Sequence, residues 1–438
     1  MKILIAPDSF KETLTSSAAA NAIEEGFLSV FPDANICKLP IADGGEGTVD
    51  VLVSSTKGKF FSTKVSGPLG KYVDAKWGML GDSKIAVIEI AEACGLHLIP
   101  PNNRNPMSAS SFGVGELLLS AMDEGADHII IGLGGSATND GGLGFLQAIG
   151  IRFLDSQGNE LTEGLASLNK LFDIDIDSMD SRLKNVSFEI ACDVDNPLTG
   201  DQGASVIFGT QKGADNLMIK KLDSLLSHYA RIVSSKLSND LSMRPGAGAA
   251  GGIGYGFLTF LKAQQKSGVH IILEKLNFNQ YLLNADLVVT GEGRFDNQSD
   301  RGKAPMGVIN FSKRHNCNIF VIAGSVENDK ASEIKYGIDK VFQGRTYFYY
   351  QNKGVFDIIA ILMEAKNYIV AVCIGLFSFI VPCIKLSASL LLLLFPSFSS
   401  KKIQSVLSFI SKWSMADVFV VGAFLSYLSF SNMSPGVD

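Results

Sequence analysis

Histidine, cysteine and tryptophan are all scarce: five, six and two residues among 438. The cysteines stand at 37, 94, 192, 317, 373 and 383, and no two have C-x-x-C spacing. With no histidine cluster beside them, neither a disulfide framework nor a zinc site is supported. A reducing cytoplasm is the natural setting for the soluble part. His97, His128, His228, His270 and His315 are scattered and read as surface or core residues. Excess basic charge is lacking too. The formal net charge is −6, which speaks against a nucleic-acid partner. There is no heptad, solenoid period or low-complexity run. The opening M-K-I-L-I-A-P-D is too short in apolar length for a signal peptide and reads as a first strand.

Charge is also missing from the tail. Mean hydropathy is +0.22, high for a soluble enzyme, and the C-terminal region supplies the excess. Between Tyr368 and Phe395 only Lys385 is charged, and between Met415 and Phe430 only Asp417. An apolar stretch of ~18 or more residues is a candidate membrane span. The first stretch passes that length; the second is short. The alternative for the first is a buried core helix. The expected division is a soluble part up to residue 342, a junction over 343–367 and a helical membrane tail over 368–438.

The soluble part repeats one grammar: a short Ile/Val-rich run ending in a polar, glycine-rich cluster. The runs are Ile3–Ala6, Ile85–Ile90, Ile129–Ile131, Phe188–Cys192, Leu287–Thr290 and Ile319–Ala323. Helix-like segments such as Ser16–Phe31 and Gly115–Glu124 lie between them. This alternation predicts an α/β fold with largely parallel sheets. Such sheets bind ligands beyond the carboxyl ends of their strands, so the polar clusters are the expected site.

Each cluster has its own chemistry. The run I-G-L-G-G-S-A-T-N-D-G-G-L-G at 131–144 offers Gly134 and Gly135, whose backbone can approach phosphate closely, with Ser136 and Asn139 as donors. Asp140 could hold magnesium. A glycine-rich turn before a capped helix fits the same string, and no G-K-[ST] follows, so this is not a Walker A loop. The run G-A-G-A-A-G-G-I-G-Y-G at 246–256 contains Gly248, Gly251 and Gly252. It follows no apolar strand and so fails the dinucleotide fingerprint. A glycine-lined ligand wall and tight helix packing both remain open there. In A-D-G-G-E-G-T at 42–48, Asp43 and Glu46 suit magnesium or a sugar-acid hydroxyl, or simply a turn before a helix. Asp193 and Asp195 alternate after an apolar run, on one face of an extended chain. One can act as a base while the other orients it, or the two can share a metal; an Asx-turn is the plain alternative. The string from Thr290 to Val308 offers Glu292, Arg294, Asp296, Arg301 and Lys303, whose cations can meet phosphate or a carboxylate.

Seven strings together carry a resemblance: A-P-D-S-F-K at 6–11, A-D-G-G-E-G-T at 42–48, I-G-L-G-G-S-A-T-N-D-G-G at 131–142, D-V-D-N-P-L at 193–198, F-G-T-Q-K-G at 208–213, G-A-G-A-A-G-G at 246–252 and T-G-E-G-R-F-D at 290–296. In this order the chain resembles the bacterial glycerate kinase family of the two-domain α/β type, colinearly from residue 1 to about 342. The resemblance implies phosphotransfer from ATP to glycerate, usually at the 2-hydroxyl, giving 2-phosphoglycerate. It also implies a Rossmann-like domain from about 1–65 and 280–342 and a second α/β domain from about 66–279, with the site between them. Further on, L-F-S-F-I-V-P-C-I-K-L at 376–386 and K-W-S-M-A-D-V-F-V-V at 412–421 resemble part of the paraquat-inducible protein A membrane family, over roughly 345–430.

The expected chemistry is direct in-line phosphoryl transfer, which needs positioning and charge stabilisation. Asp193 or Asp195 takes the hydroxyl proton, with Lys11 stabilising transferring charge. Asp8, Ser9, Asp43, Glu46 and Arg294 are expected to bind glycerate. Gly134, Gly135, Ser136, Asn139, Gly248, Gly251, Gly252, Glu292 and Lys303 are expected to hold ATP, and Asp140 and Asp296 magnesium. The tail is expected to place the chain at the inner membrane with its kinase part in the cytoplasm; without the tail the protein would be cytoplasmic. The alternative is a membrane protein carrying a non-catalytic kinase remnant.

Overall fold

A computed structural model of the chain describes residues 1–10, 13–162, 164–295, 304–315, 317–326 and 338–343. All of these fall in the first of the two units into which the chain divides, Met1–Arg345. The expected membrane tail at 368–438 and most of the junction lie outside the described residues. Among the described residues no helix is long and apolar enough to cross a membrane.

Thirteen strands are described. They are β1 (Lys2–Pro7), β2 (Asn35–Lys38), β3 (Lys59–Ser66), β4 (Tyr72–Met79), β5 (Ile85–Glu89), β6 (His128–Gly132), β7 (Arg152–Leu154), β8 (Asp173–Asp175), β9 (Ser187–Ala191), β10 (Gln264–Lys266), β11 (Leu287–Phe295), β12 (Asn318–Val326) and β13 (Lys340–Gln343). They form two main sheets. The first has the order β13-β12-β11-β1-β2, with every pairing parallel. The second has the order β10-β9-β6-β5-β4-β3; it is parallel from β10 to β5 and antiparallel from β5 to β3. β7 and β8 make a separate antiparallel pair. All six apolar runs expected as strands are strands. Five of them are buried because helices cover both faces, which is why they read as unbroken apolar stretches; in Ile319–Ala323 the burial alternates, with Phe320 and Ile322 only half-buried.

Helix ends follow local chemistry. Thr15 accepts from the Ala18 amide at 3.2 Å and starts the helix Ser16–Val30. Asp215 does the same for Asn216–Leu237, accepting from Met218 at 2.8 Å. The latter helix buries Leu222, Leu225, Leu226, Tyr229, Ala230 and Val233, a single stripe at helical spacing. That stripe joins the larger of the apolar cores, with Phe145, Phe153 and Phe257.

The chain crosses between sheets earlier than the expected boundary at 65/66. Lys59–Ser66 pairs antiparallel with Tyr72–Met79 across the turn at Gly67–Gly70 and is the outer strand of the second sheet.

Candidate active site

The carboxyl ends of strands from both sheets meet around one loop. In the first sheet, Asp8 follows β1 and its amide donates to the Gly291 carbonyl of β11 at 2.9 Å. The Ile41 amide donates to Pro7 at 3.0 Å, which brings Ala42–Gly45 alongside. That loop then wedges into the second sheet. Gly44 has φ +89°, and a Cβ there would lie 2.6 Å from Gly268 Cα and 2.8 Å from Ala191 Cβ. A Cβ on Gly132 would fall 2.6 Å from the Gly44 carbonyl, and one on Gly134 would fall 3.2 Å from Gly45 Cα. Only glycine permits this close approach of backbones.

The wedge gathers acids. Asp43 accepts from the Gly45 amide at 3.0 Å. Asp193 accepts from the Gly268 amide through both oxygens, at 3.3 Å each. Asp193 is exposed at its surface, yet the protein packed beside its carboxyl raises its pKa to about 6 by desolvation, with the charges of Asp43 and Asp195 adding to the rise against the Gly268 hydrogen bond. Asp195 is exposed, as is Glu46. Among the described residues no lysine or arginine forms an ion pair with Asp43, Asp193 or Asp195. Ser9 donates its amide to Asp8 Oδ1 at 2.6 Å, and Asp8 itself is buried.

Glu89, at the end of β5, escaped the sequence reading. Its carboxylate accepts from Val49 at 2.8 Å and Gly47 at 3.3 Å, so it clamps the start of the helix Thr48–Ser55 that follows the wedge. Desolvation raises its pKa to about 7 against those two hydrogen bonds. An acid closing a buried apolar run was the available signal.

The glycine-rich loop at 133–142 is largely internal. Asp140 is fully buried and accepts from the Ser111 amide (2.9 Å), the Ser111 hydroxyl (2.8 Å), the Gly142 amide (3.1 Å) and the Gly144 amide (3.2 Å). Both of its oxygens are occupied by protein donors, which leaves no face for a metal. The magnesium role expected of Asp140 is therefore corrected to a structural one, tying the helix starts at Phe112 and Leu143 together. Asn139 is buried and donates to Ser205 Oγ at 2.9 Å.

Gly248, Gly251 and Gly252 meet backbone as well. A Cβ on Gly251 would stand 2.0 Å from the Thr138 carbonyl, one on Gly252 2.6 Å from Gly141 Cα, and one on Gly248 2.1 Å from the Pro197 carbonyl. Ala250, Gly251 and Gly252 all have positive φ, and the helix Ala249–Phe260 is kinked there. This is the tight-packing arrangement, and the ATP contact expected of Gly248, Gly251 and Gly252 is corrected to a packing role, since each faces neighbouring backbone. Gly135 differs: at φ +70°, its Cβ would meet only Ala91 Cβ, at 3.4 Å.

A second missed residue is Lys212 of the F-G-T-Q-K-G string. It is buried, and its ammonium donates to Ser136 Oγ at 2.9 Å and to the Thr138 carbonyl at 2.6 Å. On β11, Glu292 is buried and Arg294 exposed, in register with Ser325 of β12. Lys11, Asp296, Arg301 and Lys303 lie outside the described residues. Among the described residues no three His, Cys, Asp or Glu side chains converge tightly enough to hold a metal by themselves.

Two sheets whose strand ends meet around one loop of acids and glycine backbone define the class: a two-domain α/β enzyme. The family model for the glycerate kinase family matches residues 3–367, and that for paraquat-inducible protein A matches residues 342–435. The chain is 51% identical over 342 residues to the glycerate kinase of Bacillus subtilis (strain 168) and, over an equal length, to the glycerate 2-kinase of Escherichia coli (strain K12); each match covers 78% of this chain and 90% of the relative. A crystal structure of a putative glycerate kinase 2 from Salmonella typhimurium LT2 matches at 48% identity with a TM-score of 0.73, covering 78% of this chain and 90% of that one. The chain belongs to the glycerate kinase family. The family match runs on to residue 367, past the limit near 342 expected from the motifs, and overlaps the start of the second match.

Proposed function

We propose that the chain transfers the γ-phosphoryl group of ATP to a hydroxyl of glycerate, with the 2-hydroxyl of D-glycerate as the acceptor. The observation that carries this is identity of about half over 342 residues with relatives named glycerate kinase, one of them glycerate 2-kinase. The acid cluster supports it chemically. Asp193 takes the hydroxyl proton as the new oxygen–phosphorus bond forms and the bond to ADP breaks. Its pKa of about 6 leaves it ionised at neutral pH yet basic enough to accept. Arg294, with Lys11 and Lys303, meets the glycerate carboxylate and the transferring charge. Backbone amides near Gly134 and Gly135, with Ser136, receive phosphate.

Magnesium fits the donor set. It favours carboxylate and phosphate oxygens, usually one or two carboxylates together with the substrate's phosphates. Asp43 and Asp195 carry charge that no described cation balances and would hold it, with Asp296 as a further expected ligand. When bound, the ion neutralises phosphate charge. The functional division that strand pairing supports is one domain from about 1–58 and 268–343 and a second from the residues between.

The proposal is tested by incubating purified full-length chain with ATP, magnesium and D-glycerate and identifying the product by NMR. Stoichiometric 2-phosphoglycerate is expected; absence of ATP consumption sinks the reading. Seven strand-end and loop strings retained in order argue against a non-catalytic remnant. We further propose that residues 368–438 attach the chain to the inner membrane with the kinase part in the cytoplasm, on the strength of the Tyr368–Phe395 composition and the match at 342–435. Release of the full chain by alkaline carbonate would refute that attachment.

A further inference from the structure

Lys212 takes no part in the roles given above, yet it occupies an expensive position. Burying an ammonium is costly unless it is paired. Here its two hydrogen-bond partners are neutral, the Ser136 hydroxyl and the Thr138 carbonyl. Among the described residues no carboxylate forms an ion pair with it. The groups acting on it electrostatically are Asp140, whose oxygens are already occupied, and Cys94, whose thiol burial pushes up to about 12. A neutral side chain would fill this space at lower cost.

The direction of the bond to Ser136 carries the consequence. An ammonium has donors only, so Ser136 Oγ must be the acceptor. The hydroxyl's own hydrogen is then free for another partner, and among the described residues no protein acceptor takes it. A charge-assisted bond into the oxygen polarises the O–H and makes it a better donor. Ser136 directly follows Gly134 and Gly135, and Gly134 packs on Gly45 of the acid wedge. The polarised hydroxyl therefore belongs to the loop that borders the acid cluster.

We infer that Lys212 is a positioning residue that acts through Ser136, committing the serine hydroxyl as a donor to a phosphate oxygen of the nucleotide. This rests on the glycerate kinase reading. Desolvation lowers the Lys212 pKa to about 8, so the proton that enforces this direction is lost as pH rises through that value. The neutral amine can accept as well as donate, and Ser136 is then no longer committed.

The test is a double-mutant cycle on the full chain with Lys212→Met, Ser136→Ala and the pair, read as kcat/KM for ATP and as ADP affinity by calorimetry. Each single change is expected to cost roughly 10- to 100-fold, the scale of one hydrogen bond to a charged group, and the double variant no more than the worse single. The alkaline fall of the wild-type profile near pH 8 should vanish in Ser136→Ala. Multiplying losses, or wild-type kcat/KM in Ser136→Ala, would overturn the inference. If Lys212→Met does not fold, Ser136→Ala decides alone: an alkaline limb that persists in it overturns the relay. A wild-type chain that binds ADP but transfers nothing to glycerate defeats the glycerate reading only, and weaker ADP binding in Ser136→Ala still supports the relay.

Discussion

The wedge at Ala42–Gly45 and the loop at 133–142 look alike in sequence, each a run of glycines with acids, and differ in space. In the wedge and its neighbours the charges of Asp43 and Asp195 act on Asp193, and no described lysine or arginine pairs with any of the three. In the loop, Asp140 is sealed inside with four donors. Glycine density marks close backbone approach in both places. What separates a site from a scaffold is whether the charge beside the glycines is satisfied. Unbalanced acids at strand ends are available to chemistry; a saturated buried acid is not, although burial still pushes the Asp140 pKa up against its hydrogen bonds.

Four experiments bear on that contrast. The largest effect is expected from Asp193→Asn: a fall in kcat of ~10²–10⁴-fold, the usual loss for a general base, with the melting temperature close to wild type. With its pKa near 6, wild-type kcat/KM should drop about tenfold per pH unit below that value as the carboxylate protonates. Unchanged turnover would remove the acid cluster from the reaction. Asp140→Ala should act on stability instead. It strands four donors at ~1–3 kcal/mol each, enough to use up much of a typical 5–15 kcal/mol margin, as urea unfolding would read. A stable but inactive variant would reverse the contrast. Gly251→Ala adds a Cβ against the Thr138 carbonyl at positive φ, and about 1–3 kcal/mol of destabilisation is expected in a thermal melt. If it melts like wild type but loses ATP affinity, the glycines form a ligand wall after all.

An effect of similar size concerns Glu89. Its folded pKa of about 7 lies above an unfolded value near ~4.3. The folded state therefore binds more protons between those values, and the associated stability, full below the unfolded pKa, is lost as pH rises through about 7. Glu89→Gln should flatten that slope in denaturant titrations at pH 5 and pH 7.5. A slope that persists would assign it to another group.

Most of the framework was legible because buried parallel strands announce themselves. Ile3–Ala6, Ile129–Ile131 and Leu287–Thr290 are apolar on both faces, and no loop or surface helix needs that. The helix expected over Ser16–Phe31 ends one residue earlier, within ordinary fraying. The β3–β4 hairpin was missed: half of each strand faces water, so Lys59, Lys64 and Lys76 break up the apolar signal. The roles of Gly251 and Asp140 were not legible. A glycine that admits phosphate and one that admits a neighbouring carbonyl lack the same Cβ, and the neighbour, Thr138, is more than 100 residues away. Glu89 was signalled by its place in an apolar run, but its hold on Val49 was not legible, and neither was the contact of Lys212 with Ser136, since those partners are remote in sequence.

The order β13-β12-β11-β1-β2 also sets a schedule for synthesis. β1 leaves the ribosome first, and β2 can join one of its sides within moments. Its other neighbour, β11, begins at Leu287, and at about 5–20 residues per second that partner arrives roughly 15 to 60 s later. In the interval the second sheet is translated whole, from β3 to β10, while the open flank of Ile3–Ala6 stays unpaired. A nascent chain stalled before residue 287 would thus present a bare, strongly apolar strand edge, the kind of surface that holding chaperones cover and that neighbouring polysome chains can pair with.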